Sequence, residues 1–452
     1  MTRVAGADVR SGFWEEQLAH AKRCDADDEL RAFRDRFYVA PERIYLDGNS
    51  LGLLSHEAEA AVLRVLGEWR EQGIDGWSGG APPWYDLAER LAPGIAGLVG
   101  AREHEVIATG STTVNLHQLL ATFYRPQTAR QVLLVDAQNF PSDLYAAQSH
   151  VALHGGAGAL HPGSASQAQA PESATAPTLR VVPGRDGLVG VADLMQALGD
   201  DVAVAFFSSV QYRSGQLMPI REIVERAHRV GAIVGFDLSH GIGAVPHQLH
   251  DDGVDFAFWC HYKYLGSGPG AVGGLFVHER HHERWPGLAG WWGSHKERQF
   301  DMAPTFDPAS GVGRFQIGTP HLLSLAPLEG SLKIFAEAGI GRIRDKSLAL
   351  TELLMTLVDG LDRSLGFSIE TPRNPGARGG HVAVRHMEAA RVAKALKARG
   401  IIPDFRPPDV VRLAPVALYT RFEDVVTTVR ALEQIVTTRE HERFDEGRAV
   451  IA

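Results

Sequence analysis

Between residues 105 and 277 the chain carries short, nearly unbroken apolar runs: EVIAT (105–109), QVLLVDA (131–137), VAVAFFSS (202–209), AIVGFD (232–237), DFAFW (255–259) and AVGGLFV (271–277). A strand with one wet face alternates apolar and polar residues. These runs do not, so they predict strands buried on both faces. Between several of them lie stretches with helical spacing, such as TTVNLHQLLATFY and PIREIVERAHRVG. Strands and helices in alternation predict an α/β fold, with an open, mostly parallel sheet covered by helices.

Ahead of this block, residues from about 13 to 37 are charged and helical in pattern, and RIYLDGNSLGLLS predicts a short strand breaking into an Asp-Gly-Asn turn. HEAEAAVLRVLGEWREQG follows with apolar residues at helical intervals. Residues 155–179, GGAGALHPGSASQAQAPESATAPTL, are rich in Ala, Gly, Ser and Pro and predict a flexible surface excursion without chemistry. From about 325 the texture shifts to long helical stretches, including SLKIFAEAGIGRIRDKSLALTELLMTLVDGL, with short strands expected near GGHVAVRH and VVRLAPVAL. The expected division is an N-terminal segment (1–60), a large α/β domain (61–324) and a smaller C-terminal α+β domain (325–452), without internal repeats.

Composition narrows the partners. A net charge of −9 over 452 residues leaves no basic excess to meet phosphates, which argues against a nucleic-acid partner. The two cysteines, Cys24 and Cys260, lie in no CxxC pair and cannot build a disulfide framework, so a reducing compartment is expected. No apolar run reaches the roughly 18 residues of a membrane span, and the N-terminus has no signal-like core. A cytoplasmic protein acting on small molecules is the expectation.

Two motif matches lack the structure their chemistry needs. HERHH (278–282) satisfies HExxH, but zinc binding requires a helix presenting two imidazoles one turn apart. Here the match starts where AVGGLFV ends, Pro286 follows within a turn, and no third ligand stands at a recognised spacing, so no metal is assigned. Gly266, Gly268 and Ala271 fit GxGxxG/A, yet Pro269 interrupts the pattern and a strand follows where a dinucleotide site needs a helix.

A third constellation carries more. AIVGFDLSH ends an apolar strand on Asp237, with Ser239 and His240 just beyond. Alone, this is equally a capping acid beside a buried histidine or a functional acid at the carboxyl edge of the sheet, where open α/β sheets bind ligands. Lys263 shifts the balance. It follows the next strand, in WCHYKYLGSGPG (259–270), and lysine is costly to bury without a purpose. An acid at one strand end and a lysine after the next suit pyridoxal 5'-phosphate: the lysine forms a Schiff base, and the acid keeps the pyridinium nitrogen protonated so that the ring accepts electrons. The phosphate needs amides at a helix start, which ATGSTTVNLH supplies at Gly110, Ser111, Thr112 and Thr113. Phe140, in NFPSDLY, is a candidate wall for the ring, and Asp143 a candidate hydrogen-bonding partner near it.

YLDGNSLGLL (45–54), TVNLHQLL (113–120), FPSDLYA (140–146), VGFDLSHGIGAVP (234–246), VDFAFWCHYKYLGSGPG (254–270), GWWG (290–293) and RLAPVALY (412–419) together resemble the kynureninase family, from about residue 40 to about 430. The resemblance implies a fold-type-I, aminotransferase-like pyridoxal-phosphate enzyme with a seven-stranded-type sheet. It also implies a homodimer with shared active sites, to whose contacts residues 1–60 contribute. The implied reaction, in tryptophan breakdown, is hydrolysis of the Cβ–Cγ bond of L-kynurenine, and less well of its 3-hydroxy form, to anthranilate and L-alanine. By position, Lys263 would be the Schiff-base lysine, Asp237 the pyridinium partner and Tyr262 the acid that reprotonates the β-carbon. Phe140 would stack on the ring, and Thr112, Thr113, Asp143, Ser208, His240 and Tyr262 match other cofactor contacts. Trp292 and Thr319 match positions that approach the phosphate from the neighbouring subunit. Arg412 matches the arginine that grips the substrate carboxylate with its two-pronged donor geometry, and Trp77, Asn49 and Ser50 fall at the substrate.

Trp77 and Thr319 resemble the bacterial type, which lacks a donor and acceptor for the 3-hydroxyl; this implies a preference for kynurenine, not an exclusion. Gly266 replaces the asparagine of many relatives and is expected to loosen the turn after Lys263, while His261 carries no assigned role. Three alternatives stand beside this: a related enzyme acting on a substituted kynurenine, a cysteine-desulfurase-like lyase, and a catalytically silent ligand-binding protein. A desulfurase needs a mobile catalytic cysteine, and neither Cys24 nor Cys260 lies in a suitable glycine-rich loop. The joint presence of Lys263, Asp237 and Arg412 speaks against a silent protein.

Overall fold

The computed structural model describes residues 2–156 and 176–447. All six apolar runs become strands of one seven-stranded sheet. Its order is Val106–Ala108, Gly273–Val277, Phe256–Cys260, Ile233–Asp237, Val202–Ser208, Val132–Asp136, Thr178–Val182. Six strands share one direction and Gly273–Val277 opposes its two neighbours. The central strands are buried on both faces, as their lack of alternation requires; Leu133, Leu134, Phe206 and Phe207 are fully buried, each worth about 1.5–3 kcal/mol of apolar burial. The seventh strand, Thr178–Val182, is half-exposed at the sheet's edge. The excursion expected at 155–179 lies mostly outside the described residues, and at its far end Thr178 and Leu179 already belong to that strand.

Helices close the sheet with one apolar stripe each. Ile220–Arg229 buries Ile220, Ile223, Val224 and Ala227 at helical spacing, while Arg221, Glu222 and Glu225 face water. The helix His56–Gln72 starts at Ser55, whose hydroxyl accepts the Ala58 amide at 3.1 Å.

A second core surrounds a four-stranded antiparallel sheet in the order Ser368–Ile369, Val382–Arg385, Val410–Leu413, Asp404–Arg406. The N-terminal helix Thr2–Asp27 joins this core through Trp14 and Ala21, and Ile44–Tyr45 pairs in parallel with Ile401–Ile402. The long helical stretch after residue 322 breaks at Gly339 (φ +75°) into Leu322–Ala338 and Ile340–Asp359. The first of these buries Leu325, Leu328 and Phe335 against the large sheet's core, so the change of core comes later in the chain than the change of sequence texture at 325. Among the described residues, no helix is long and apolar enough to cross a membrane.

Candidate active site

Parallel strands deliver their ends to one edge. Ser208 and Asp237 close neighbouring strands as direct partners in register, and Lys263 follows three residues after the next strand. Lys263 Nζ lies 2.9 Å from His240 Nε2 and 5.9 Å from the ring centroids of both Phe140 and Tyr262. Asp237 is buried, and its Oδ1 accepts the Ser239 amide at 2.8 Å and the Ser239 hydroxyl at 2.6 Å. The Ser208 hydroxyl donates to Asn139 Oδ1 at 3.1 Å. Asp143 sits in the first turn after Phe140, and its buried Oδ2 has no partner among the described residues.

The charges balance against burial. Burial pushes the Asp237 carboxyl up while Lys263 pulls it down. Burial, reinforced by Asp237, raises Asp143 well above the usual carboxylate range. Burial, then Lys263 and Arg412, hold His240 well below its ordinary value, so its ring is neutral and able to accept a hydrogen bond from the Lys263 amine. Burial also raises the Tyr262 phenol, which stays protonated.

The helix Thr112–Phe123 begins beside the Val106–Ala108 strand, with Ser111 at its N-cap position and Thr112 and Thr113 in its first turn. Gly110 precedes it at φ +55°, where a Cβ would stand 2.5 Å from Asn115 Oδ1, so no side chain shields the helix start. A cavity of about 210 Å³ beside it is lined by Thr109, Gly110, Asn115, Val272 and Thr319. Trp77 and Trp292 form a second group, 5.5 Å apart between centroids, with Tyr85 and the Lys296 amine packed on Trp292. The Trp292 indole nitrogen is buried and has no partner among the described residues. A lysine amine, a buried acid, an accessible phenyl ring, free helix-start amides and the unpartnered His240 Nδ1 and Asp143 Oδ2 make a donor set that fits pyridoxal 5'-phosphate.

Arg412 stands in a chamber of its own. It is fully buried and pairs across the antiparallel sheet with Asp404, whose carboxylate accepts from Nε and Nη2. Nη1 donates to the Tyr212 carbonyl, and Nη2 to Ser50 Oγ at 3.1 Å. Around it, Asn49 is fully buried with both amide atoms unpartnered among the described residues, as are Asp47 Oδ1, Asp404 Oδ1 and the hydroxyls of Tyr264 and Tyr419. Burial, reinforced by Asp404, pushes the Asp47 carboxyl up to about 6. So many unmet polar atoms suit a polar guest. Sequence reasoning missed Asp47, Tyr264 and Asp404, and also His381, whose ring centroid lies 5.7 Å from that of His240. Only Asp404 left a signal, one strand-turn-strand interval before Arg412.

Two expectations about the Lys263 turn change. Gly266 does not loosen it. Its φ is +64°, a left-handed conformation that glycine and asparagine share, and the turn is tied by Gly52 N to Tyr262 O at 2.8 Å and Gly266 N to Lys263 O at 2.9 Å. A Cβ at Gly266 would meet only Leu53 O, at 3.1 Å. Gly266→Asn is therefore expected to change stability by less than about 1 kcal/mol, and Gly266→Val to lower it by more, as thermal melts will show.

His261 has a structural task. Its Nδ1 donates to Val272 O at 2.6 Å and its Nε2 accepts Trp259 Nε1 at 2.7 Å, which locks the hairpin carrying Lys263. Burial pushes His261, and likewise His247, down to about 4. The unfolded chain then binds protons more readily below its ordinary histidine value of about 6.5. Their contribution is complete above that pH and lost as pH falls toward 4, at about 1.4 kcal/mol per pH unit per histidine. The thermal midpoint is expected to fall steeply across this window, and less steeply in His261→Gln.

HERHH forms a 3₁₀ turn, Glu279–His281, in which Glu279 pairs with Arg102 and His104. His282 Nε2 turns back to Val277 O at 3.0 Å, so the motif's two terminal histidines point to different partners. His278 instead approaches Glu105 and His250, with ligand atoms within 4.8 Å, but Glu105 already accepts the Arg102 and Glu279 amides.

Comparison with known proteins places the chain among its relatives. The family model described as kynureninase C-terminal domain matches residues 343–432, the part that holds Arg412 and Asp404. Among solved structures, a cysteine desulfurase from Thermococcus onnurineus superposes with a TM-score of 0.73 at 19% identity, covering 90% of this chain and 98% of that one. A variant of C-DES with glycine covalently linked to its PLP cofactor also reaches 0.73 at 19% identity, over 88% and 98% of the chains. At such identity these share the fold alone. The kynureninase of Geobacillus thermodenitrificans is 49% identical over 97% of this chain and 99% of its own length, and that of Bacillus cereus strain ZK 48% over 96% and 97%. By sequence over nearly its whole length, the chain belongs to the kynureninase family.

Proposed function

We propose that this chain hydrolyses the Cβ–Cγ bond of L-kynurenine, and less well of 3-hydroxykynurenine, to anthranilate and L-alanine. The observation that carries this is the Lys263 amine, 2.9 Å from a neutral His240 and flanked by Phe140 and Tyr262, together with the chamber around Arg412. Lys263, Asp237, His240 and Phe140 would hold the ring of pyridoxal 5'-phosphate, with Ser208 and Asp143 beside it and Thr112 and Thr113 at its phosphate. When bound, that group stores electrons released from the substrate's α-carbon.

The chain's own residues do the rest. Lys263 takes and returns the α-proton, and the neutral His240 beside it accepts its hydrogen bond without competing for charge. Asp237 supplies the negative charge opposite a protonated pyridine nitrogen. Tyr262, kept protonated by burial, donates to the β-carbon. Arg412 and Ser50 orient the α-carboxylate, while Trp77 and Asn49 border the substrate. Trp292 and Thr319 complete the phosphate site in a homodimer with shared sites, a role that the buried Trp292 indole nitrogen, unpartnered among the described residues, supports. Three units serve this site: residues 1–60, a large domain from residue 61 that keeps the Leu322–Ala338 helix in its core, and a small C-terminal domain after it. The protein works in the cytoplasm, where its two cysteines stay reduced.

A desulfurase reading finds less support. Cys260 is buried and its thiol is pushed up by that burial, which makes it a poor nucleophile, and Cys24 lies within the N-terminal helix. The test is purified protein given L-kynurenine with anthranilate fluorescence followed. Fluorescence that rises with turnover supports the proposal, and bound cofactor without anthranilate refutes it.

A further inference from the structure

His381 immediately precedes the Val382–Arg385 strand and is fully buried. Register explains where it goes. Ala383 is the cross-strand partner of Arg412, and residues two apart in a strand share a face, so His381 stands diagonally beside Arg412 on the face that also carries Asp404. Its ring centroid lies 5.7 Å from that of His240, the residue that meets Lys263. It therefore reaches both the amine group of residues and the guanidinium group.

Among the described residues neither nitrogen of His381 finds a hydrogen-bond partner, although the Arg213 carbonyl lies near enough to favour the protonated ring slightly. Burial outweighs that influence, and Arg412 and Lys263 add to it, so the ring is neutral, with one donor and one acceptor. Gly215, at φ +73°, packs against it so closely that a Cβ there would stand 3.3 Å from His381 Nε2. The ring is thus held in place, yet its polar atoms are left unmet. An apolar side chain would fill the same space without leaving polar atoms bare, so the imidazole suits a site that receives a polar guest.

We propose that His381 is a further substrate-binding residue, whose neutral imidazole hydrogen-bonds the amino-acid head of the substrate between the groups around Lys263 and those around Arg412. This rests on the kynurenine-cleaving function proposed above. An α-amino acid presents its amine toward Lys263 and its carboxylate toward Arg412, and His381 stands beside both.

The test compares His381→Ala, His381→Gln and His381→Leu in the cofactor-loaded protein. His381→Ala is expected to raise KM for L-kynurenine about tenfold, the worth of one lost hydrogen bond, with a smaller fall in kcat. Glutamine keeps one donor and one acceptor and is expected to restore most of that loss. A readout independent of turnover is the affinity for L-alanine, titrated through the cofactor's absorbance. It is expected to weaken by a similar factor in the alanine and leucine variants and to be kept in glutamine. The ligand-free thermal midpoint of His381→Leu is expected not to fall. Unchanged KM and L-alanine affinity in His381→Ala, a glutamine variant no better than leucine, or a lower midpoint in His381→Leu would each overturn the assignment. Wild-type protein that releases no anthranilate would instead refute the proposed function, while the L-alanine titration still reads His381.

Discussion

Lys263→Ala is expected to lower kcat/KM for L-kynurenine by at least about 10⁴-fold, the upper end of what a positioned acid–base group supplies. The size of the loss follows from what surrounds the amine. His240, 2.9 Å away, is held well below its ordinary value by burial, and losing the Lys263 charge relieves only a secondary contribution. It remains a weak base. Tyr262 stays protonated under its own burial, and Asp237 is occupied by Ser239. No neighbour inherits the proton. Lys263→Arg is not expected to rescue, because a guanidinium does not lose its proton in this range. The lysine also opposes the raised carboxyls of Asp237 and Asp143. Without it both rise further, so the variant should bind cofactor less tightly while keeping its fold. Anthranilate fluorescence measures the first effect, and cofactor absorbance with thermal melting separates the second from misfolding. A variant that retains a hundredth of wild-type turnover would remove Lys263 from the chemistry.

What was legible in the sequence divides along a physical line. The central strands announced themselves because burial on both faces leaves nearly unbroken apolar runs, and residues such as Phe206 and Phe236 are fully buried. Thr178–Val182 did not, since an edge strand keeps one side wet and this one follows a low-complexity stretch. Asp237 and Lys263 were visible for the same reason as the strands: a charged residue that breaks an apolar run at the sheet's carboxyl edge is conspicuous. Asp47, Tyr264, His381 and Asp404 are ordinary polar residues in short elements, and only the packing of the small sheet against residues 47–50 makes a chamber of them. Gly266 shows the opposite case, a departure that looked like a weakness until its φ of +64° showed that glycine and asparagine serve the same turn.

The chamber itself makes the second large prediction. Arg412→Ala is expected to destabilise the protein by about 3–5 kcal/mol, because it leaves the Asp404 carboxylate buried without its main partner. Arg406 reaches Asp404 at 2.9 Å but is partly exposed and cannot satisfy it alone. The same change removes the carboxylate grip, worth about 2–5 kcal/mol for a buried charge-paired contact, so KM should rise at least about 30-fold. Arg412→Lys separates the two effects. An ammonium keeps the charge opposite Asp404 yet cannot span Asp404, the Tyr212 carbonyl and Ser50 at once, so most stability should return while KM stays high. The double variant Arg412→Leu with Asp404→Leu is expected to recover the thermal midpoint, since an apolar replacement removes both desolvated charges together. It should not recover substrate binding. Stability and affinity would then part company in one residue pair, which a purely structural arginine does not allow: if Arg412→Lys kept wild-type KM, the guanidinium would be a tie between the small sheet and Ser50 and nothing more.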